Sequence, residues 1–169
     1  MTEMKVVQKL NSINKSTPAL NLDEYSDFFK EAECSKRKRV PKIMHKKGDY
    51  FNSVFNFMLE DSYMHPHLHP SKEKIEKMYL IEGSFCLIIF DDHGNIIEKT
   101  ILKEDVRDYI AVPAYTWHTY VMLSEKVIVY ETMEGKYEPD TWKEMAEWAP
   151  LEGSPDAISY LEYLKNSCI

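Results

Sequence analysis

Between residues 42 and 134 the chain is cut into eight short apolar or alternating runs, and this pattern limits the fold more than any other feature. The runs are FNSVFNFMLE, SYMHPHLH, KIEKMYLIEG, SFCLIIFD, NIIEKTILK, YIAVP, HTYVML and KVIVYETM. Turn signals separate them, among them Glu82-Gly83 and Asp92-His93-Gly94-Asn95. Many short strands at a spacing of roughly 8–12 residues predict an antiparallel sandwich or barrel. No internal repeat and no low-complexity segment interrupts the pattern.

The flanks change texture. Residues 1–20 carry no clear period, but NLDEYSDFFKEAECSKRKR predicts a helix. Asn21 can cap it and Glu24 completes a capping box, while Leu22, Tyr25, Phe28, Phe29 and Ala32 form an apolar stripe. Lys36 to Arg39 place positive charge near the C-terminal end, where the helix dipole favours it, and Pro41 ends any continuation. Beyond the β region, Asp140 can cap a short helix through TWKEMAEW. Ser154-Pro155 opens a last helix, DAISYLEYLKN, with Ile158, Leu161 and Leu164 on one face. The whole chain, 1–169, therefore reads as one domain: an N-terminal helical segment 1–40, a β-barrel core 41–135 and a C-terminal helical segment 136–169.

Composition narrows the partners. Hydrophobic residues make up 44% of the 169, enough to bury a core, and the formal net charge is −7. An acidic surface argues against nucleic acid or an anionic membrane as partner, because both need basic surface. No apolar run approaches the ~20 residues of a membrane span, and MTEMKVVQKLNSINK lacks the apolar core of a signal peptide. Cys34, Cys86 and Cys168 are odd in number and far apart, so free thiols in a reducing cytoplasm are the expectation.

Chemistry concentrates in MHPHLHPSKEKIEKMYLIEGSF. In a strand, residues i and i+2 share a face, so His67 and His69 can aim two imidazoles into one space. Glu76 follows across a short loop, and His118 closes PAYTWH at the start of another strand. Three neutral imidazoles and a carboxylate suit one divalent transition metal (Fe, Mn, Ni, Co or Zn) and not Ca²⁺ or Mg²⁺, which prefer oxygen shells. Four protein ligands leave coordination positions open, as a catalytic or ligand-binding metal requires. Strand parity sends His65 to the same face. It can be a fifth ligand, a donor behind the ligands or a substrate-binding group. A ligand role is disfavoured because residues i and i+4 of an extended strand lie about 13 Å apart.

The spacings resemble the two motifs of the cupin superfamily. Glu76 and Gly83 are separated by six residues, and Pro113 lies five before His118 in Pro113-Ala114-Tyr115-Thr116-Trp117-His118. Tyr115 stands where those motifs usually carry glycine, and the gap from His69 to Glu76 is longer than usual. Together with FDDHGN, VPAYTWHTYV and YETMEGKYEP…EMAEWAPLEG, these stretches are similar to the WbuC family of cupin-fold metalloproteins, over about Ser35 to Gly153. Glu131, Gly135, Tyr137 and Trp148-Ala149-Pro150-x-Glu152 carry the more specific part of the likeness. The chain departs from that family pattern at position 65, His for Arg, and at position 136, Lys for Pro.

The resemblance implies a mainly β cupin jelly-roll barrel with flanking N- and C-terminal α-helices. It implies metal ligands His67, His69, Glu76 and His118, and a homodimer. It also implies a small-molecule substrate of carbohydrate or nucleotide-sugar type, an anionic sugar among the candidates, in bacterial surface-polysaccharide metabolism. The enzymatic form would be an isomerase, epimerase or lyase, with His65, Tyr120 and Glu131 as catalytic candidates. An Fe(II) dioxygenase and a non-catalytic sugar- or metabolite-binding module are the alternatives. Around the site, Tyr63 is a further hydrogen-bonding candidate, and Lys36–Arg39 is either a solvated helix end or an anion-binding group. His45 and His93 read as surface residues. Trp142, Trp148 and Pro150 read as packing between the barrel and the last helix.

Overall fold

The computed structural model describes residues 20–169; the reading of residues 1–19 lies outside them. Ten strands are present: β1 (Arg39–Ile43), β2 (Phe51–Leu59), β3 (His67–Leu68), β4 (Glu76–Glu82), β5 (Ser84–Phe90), β6 (Ile96–Lys103), β7 (Tyr109–Val112), β8 (His118–Met122), β9 (Lys126–Glu134) and β10 (Glu144–Met145). They form two antiparallel five-stranded sheets, ordered β1-β2-β9-β4-β7 and β10-β3-β8-β5-β6. All eight sequence runs carry strand structure, and β1 and β10 are additions to them.

Alternation along the strands builds the interior. Met58, Met78, Leu80, Phe85, Leu87, Leu102, Tyr120 and Met122 meet between the sheets. Each sheet also buries part of its outer face beneath a helix. Helix α1 (Tyr25–Cys34) lays Phe28, Phe29 and Ala32 on Val40, Phe57 and Ile128. Helix α2 (Asp156–Ser167) lays Ala157, Leu161 and Leu164 on Cys86, Ile88, Phe90 and Val121. Burying such apolar faces supplies the main driving force, at about 25 cal/mol per Å². The chain entering α1 keeps half of the expected capping box: the Glu24 carboxylate accepts from the Asn21 backbone N–H at 3.1 Å.

Three expectations are corrected. TWKEMAEW is not a helix: a 3-10 turn (Pro139–Thr141) leads into β10, which pairs with β3 through Glu144↔Leu68 and Met145↔His67. The segment 136–169 is therefore only partly helical, and β1 begins at Arg39, inside the segment read as helical. Ile158 is exposed and Ala157 takes its place on the buried face, because the helix follows the spacing 157, 161, 164. Finally, Cys86 and Cys168 form a disulfide that ties α2 to β5, leaving Cys34 as the free cysteine among the described residues. The pairing removes the thiol argument for a reducing compartment. No helix among the described residues is long and apolar enough to cross a membrane.

Candidate metal centre

The register of the sheets brings the candidate ligands together. His67 of β3 lies opposite His118 of β8, and His118 lies opposite Ile89 of β5. Glu76 opens β4 on the facing sheet. All four side chains are buried, and the ligand atoms of His67, His69, Glu76 and His118 lie within 4.8 Å of one another.

The imidazoles are oriented from behind. His67 Nδ1 donates to the His65 carbonyl at 2.9 Å, His69 Nδ1 to the Trp142 carbonyl at 2.9 Å and His118 Nδ1 to the Thr116 carbonyl at 2.8 Å. Each bond favours the tautomer with the proton on Nδ1, which leaves the Nε2 lone pair for a metal, the arrangement by which proteins aim histidine at an ion. His67 Nε2 and His69 Nε2 are buried without a hydrogen-bond partner among the described residues. Two orphaned nitrogens converging on one carboxylate are costly unless something binds between them, and a divalent ion fits that requirement. His118 Nε2 lies 2.7 Å from Glu76 Oε2, and His69 Nε2 lies 3.4 Å from it.

The electrostatics agree with a metal site. Burial, then the charge of Lys143, push His67 well below the usual imidazole range, favouring the neutral ring a metal needs. Burial alone would raise the Glu76 carboxyl; its close contacts with the His118 and His69 imidazoles outweigh it and hold the group well below its usual value.

Beside the cluster lies a cavity of about 230 Å³. Its wall takes Arg39, Pro41 and Ile43 from β1, Asn52 to Val54 and Asn56 from β2, and Glu131 to Met133 from β9. His69 and Glu76 are shared with the cluster, and Arg37, His45, Trp142 and Lys143 also line the cavity.

The other sequence candidates divide. Glu131 lines the cavity and accepts a hydrogen bond from the Tyr120 hydroxyl. Burial, reinforced by the charge of Glu76, pushes the Glu131 carboxyl up to about 8. Burial and the neighbouring Glu131 push the Tyr120 hydroxyl well above its usual value, so Tyr120 stays protonated as a donor to Glu131. His65 is not among the converging ligands. Its Nε2 donates to the Ala146 carbonyl at 2.8 Å, and its own carbonyl holds His67. Parity misplaces it because Pro66 has no N–H for a ladder and β3 starts only at His67. The Tyr63 hydroxyl is committed to the Pro150 carbonyl, and His93 lies exposed in its turn.

Arg37 and Arg39 do reach the cavity, held by a shared carboxylate, Glu152. Trp148 packs against Phe90 and Trp117, as expected of a structural residue. Trp142, read as packing between the barrel and the last helix, instead lines the cavity, and beside it stands Lys143, which no pattern in the sequence marked. His45, read as a surface residue, also lines the cavity, with Nδ1 bonded to the Ser53 backbone.

Tyr115 has φ of +59°, and its backbone N–H donates to the His69 carbonyl at 3.1 Å. A left-handed backbone explains why glycine is usual at that motif position. Tyr115→Gly is expected to stabilise the protein by about 0.5–1 kcal/mol, the strain relieved less the added unfolded-state entropy, read as a higher urea midpoint. Gly83 has φ of +88° and is required as glycine, since a Cβ there would overlap the Lys126 carbonyl.

A family model described as a domain of unknown function, DUF6016, matches residues 20–102. No curated protein matches the sequence. Among solved structures, the chain is similar to protein SO0799 from Shewanella oneidensis, with a TM-score of 0.57 at 15% identity, covering 75% of this chain and 85% of that one. It is also similar to CapF, solved with the inhibitor 3-isopropenyl-tropolone, with a TM-score of 0.54 at 15% identity, covering 63% of this chain and 31% of CapF. The chain thus spans about a third of CapF. At such identities the likeness speaks for architecture alone. Two packed antiparallel sheets, flanking helices and these neighbours together establish that the chain has the cupin jelly-roll fold.

Proposed function

We propose that this protein is a metal-dependent enzyme acting on a small carbohydrate-type molecule. The observation that carries the proposal is the pair of orphaned, buried Nε2 atoms of His67 and His69, converging with Glu76 and His118 beside a cavity. The resemblance to the WbuC family supplies the carbohydrate class and the setting of surface-polysaccharide metabolism. A bound divalent ion would act as a Lewis acid toward a carbonyl or hydroxyl oxygen.

The chain's own residues do the rest. Glu131 faces the cavity, and in the metal-free protein burial and the charge of Glu76 push its carboxyl up, so it can give a proton to a ligand atom and take one back. Tyr120 fixes the carboxyl's orientation from behind. His65 acts through His67 as a positioning residue. Retention of zinc or nickel, without oxygen uptake, would separate this reading from an iron dioxygenase.

Two measurements check the proposal. Removing metal by chelation is expected to lower the melting temperature, and readdition to restore it, because an ion that binds only the folded state stabilises it by mass action. A chelator without effect on a protein shown to contain metal would count against a site built into the fold. The second concerns Glu131 in chelated protein. Its folded-state pKa, about 8, lies above its ordinary 4.5, so between these values the folded state binds the extra proton and stability falls as pH rises. Glu131→Gln is expected to remove that fall, amounting to on the order of 2 kcal/mol between pH 6 and 8. Parallel urea titrations of parent and variant would show it, and identical slopes would contradict the assignment.

A further inference from the structure

The cavity carries more positive charge than the metal ligands need. Lys143 lines it, immediately after Trp142, whose carbonyl orients His69. Partial burial pushes the Lys143 ammonium down from its usual range, the charge of Glu76 opposes that shift, and among the described residues no carboxylate forms an ion pair with Lys143. Glu76 belongs to the metal cluster. Arg37 and Arg39 stand on the wall and share the single carboxylate of Glu152, with Arg37 engaged there only through Nε. Lys143 and Arg37 are both exposed, so they stand at the open side of the cavity as solvated cations, and this side of the cavity presents positive charge to an entering ligand.

Size and polarity limit what that ligand can be. At about 230 Å³ the cavity is smaller than the roughly 300–1,000 Å³ of drug-sized sites. A molecule of monosaccharide size fits that volume, and a larger ligand would have to extend out of it. Asn52, Ser53, Asn56 and Thr132 give the wall neutral hydrogen-bonding groups, which suit hydroxyls.

We propose that the ligand is a small polyhydroxylated anion whose charged group is received by Lys143, with Arg37 on the adjoining wall. This deepens the proposed function and rests on it for the metal and the carbohydrate class. Lys143 is thereby a ligand-binding residue that fixes specificity for charge.

Calorimetry on metal-loaded protein tests this with gluconate, glucose 6-phosphate and glucose as probes. At least one anion is expected to bind ten-fold or more tightly than glucose, and the stronger of the two identifies carboxylate or phosphate as the charged group. Lys143→Met should cut that preference ten-fold or more without changing metal content, and Lys143→Arg should restore most of it. No binding by either anion, or equal binding of anions and glucose, overturns the inference. A preference that survives Lys143→Met overturns the assignment to Lys143, since chelation of the metal by the probe would not depend on this side chain. The proposed function fails separately, and earlier, if the parent protein takes up no metal.

Discussion

Replacing His69 by alanine is expected to weaken metal binding by at least about 100-fold while leaving the fold intact. The substitution removes one of four converging donors and the ring whose Nδ1 is held by the Trp142 carbonyl. Loss of a supporting hydrogen bond behind a ligand typically costs about 10–100-fold in affinity, and loss of the ligand itself should cost more. The same substitution eliminates a buried nitrogen that has no partner in the metal-free protein, so chelated His69→Ala need not be less stable than chelated parent by the usual penalty for an orphaned polar group. Metal content by elemental analysis, with circular dichroism as the control for folding, reads the result. Undiminished occupancy in the variant would sink the ligand assignment.

Glu152→Ala is expected to destabilise the protein by about 3–5 kcal/mol, the cost of stranding a buried charge. Glu152 accepts from both Arg37 and Arg39 and from the His65 backbone N–H. The Arg39 side chain is only 4% exposed, so the substitution leaves its guanidinium without a counter-charge inside the protein. Its remaining bonds, to the Ser62 hydroxyl and the Tyr63 carbonyl, are neutral and do not replace a carboxylate. Arg37 is 57% exposed and adds little to the loss. Double substitution of Arg39 and Glu152 by apolar residues should recover much of the stability, and urea denaturation of the two single variants and the double variant measures the coupling. A single variant as stable as the parent would mean that Arg39 is solvated in a way this packing does not allow.

These two sites differ in how well the sequence exposed them. The metal cluster was legible because strand alternation is local: the i, i+2 spacing of His67 and His69 needs only β3, and the glycine after Glu76 marks a turn that Gly83 makes at φ of +88°. The same alternation failed for His65, because Pro66 interrupts the ladder and a parity argument holds only within a strand. Strand β1 was hidden by Pro41 and by its charges. It lies at the edge of its sheet, where a proline is tolerated, and its Lys42 is buried against Glu24. Strand β10 has two residues and no pattern of its own; it exists through its pairing with β3. Lys143 reaches the cavity through that pairing and the turn before it, so its position depends on contacts distant in sequence. The Cys86–Cys168 disulfide spans 82 residues, beyond the reach of any spacing rule. Glu152 sits in Trp148-Ala149-Pro150-x-Glu152, where the resemblance marked it without giving a reason; its pairing with the two arginines supplies one.

The most direct test is the metal content of the full-length protein, purified without chelators and without a metal-binding tag. One equivalent of a divalent transition metal per chain is predicted, located by anomalous scattering among His67, His69, Glu76 and His118. Protein that contains no such metal, takes up none of Mn, Fe, Co, Ni or Zn on incubation and shows no rise in melting temperature with any of them would contradict the account.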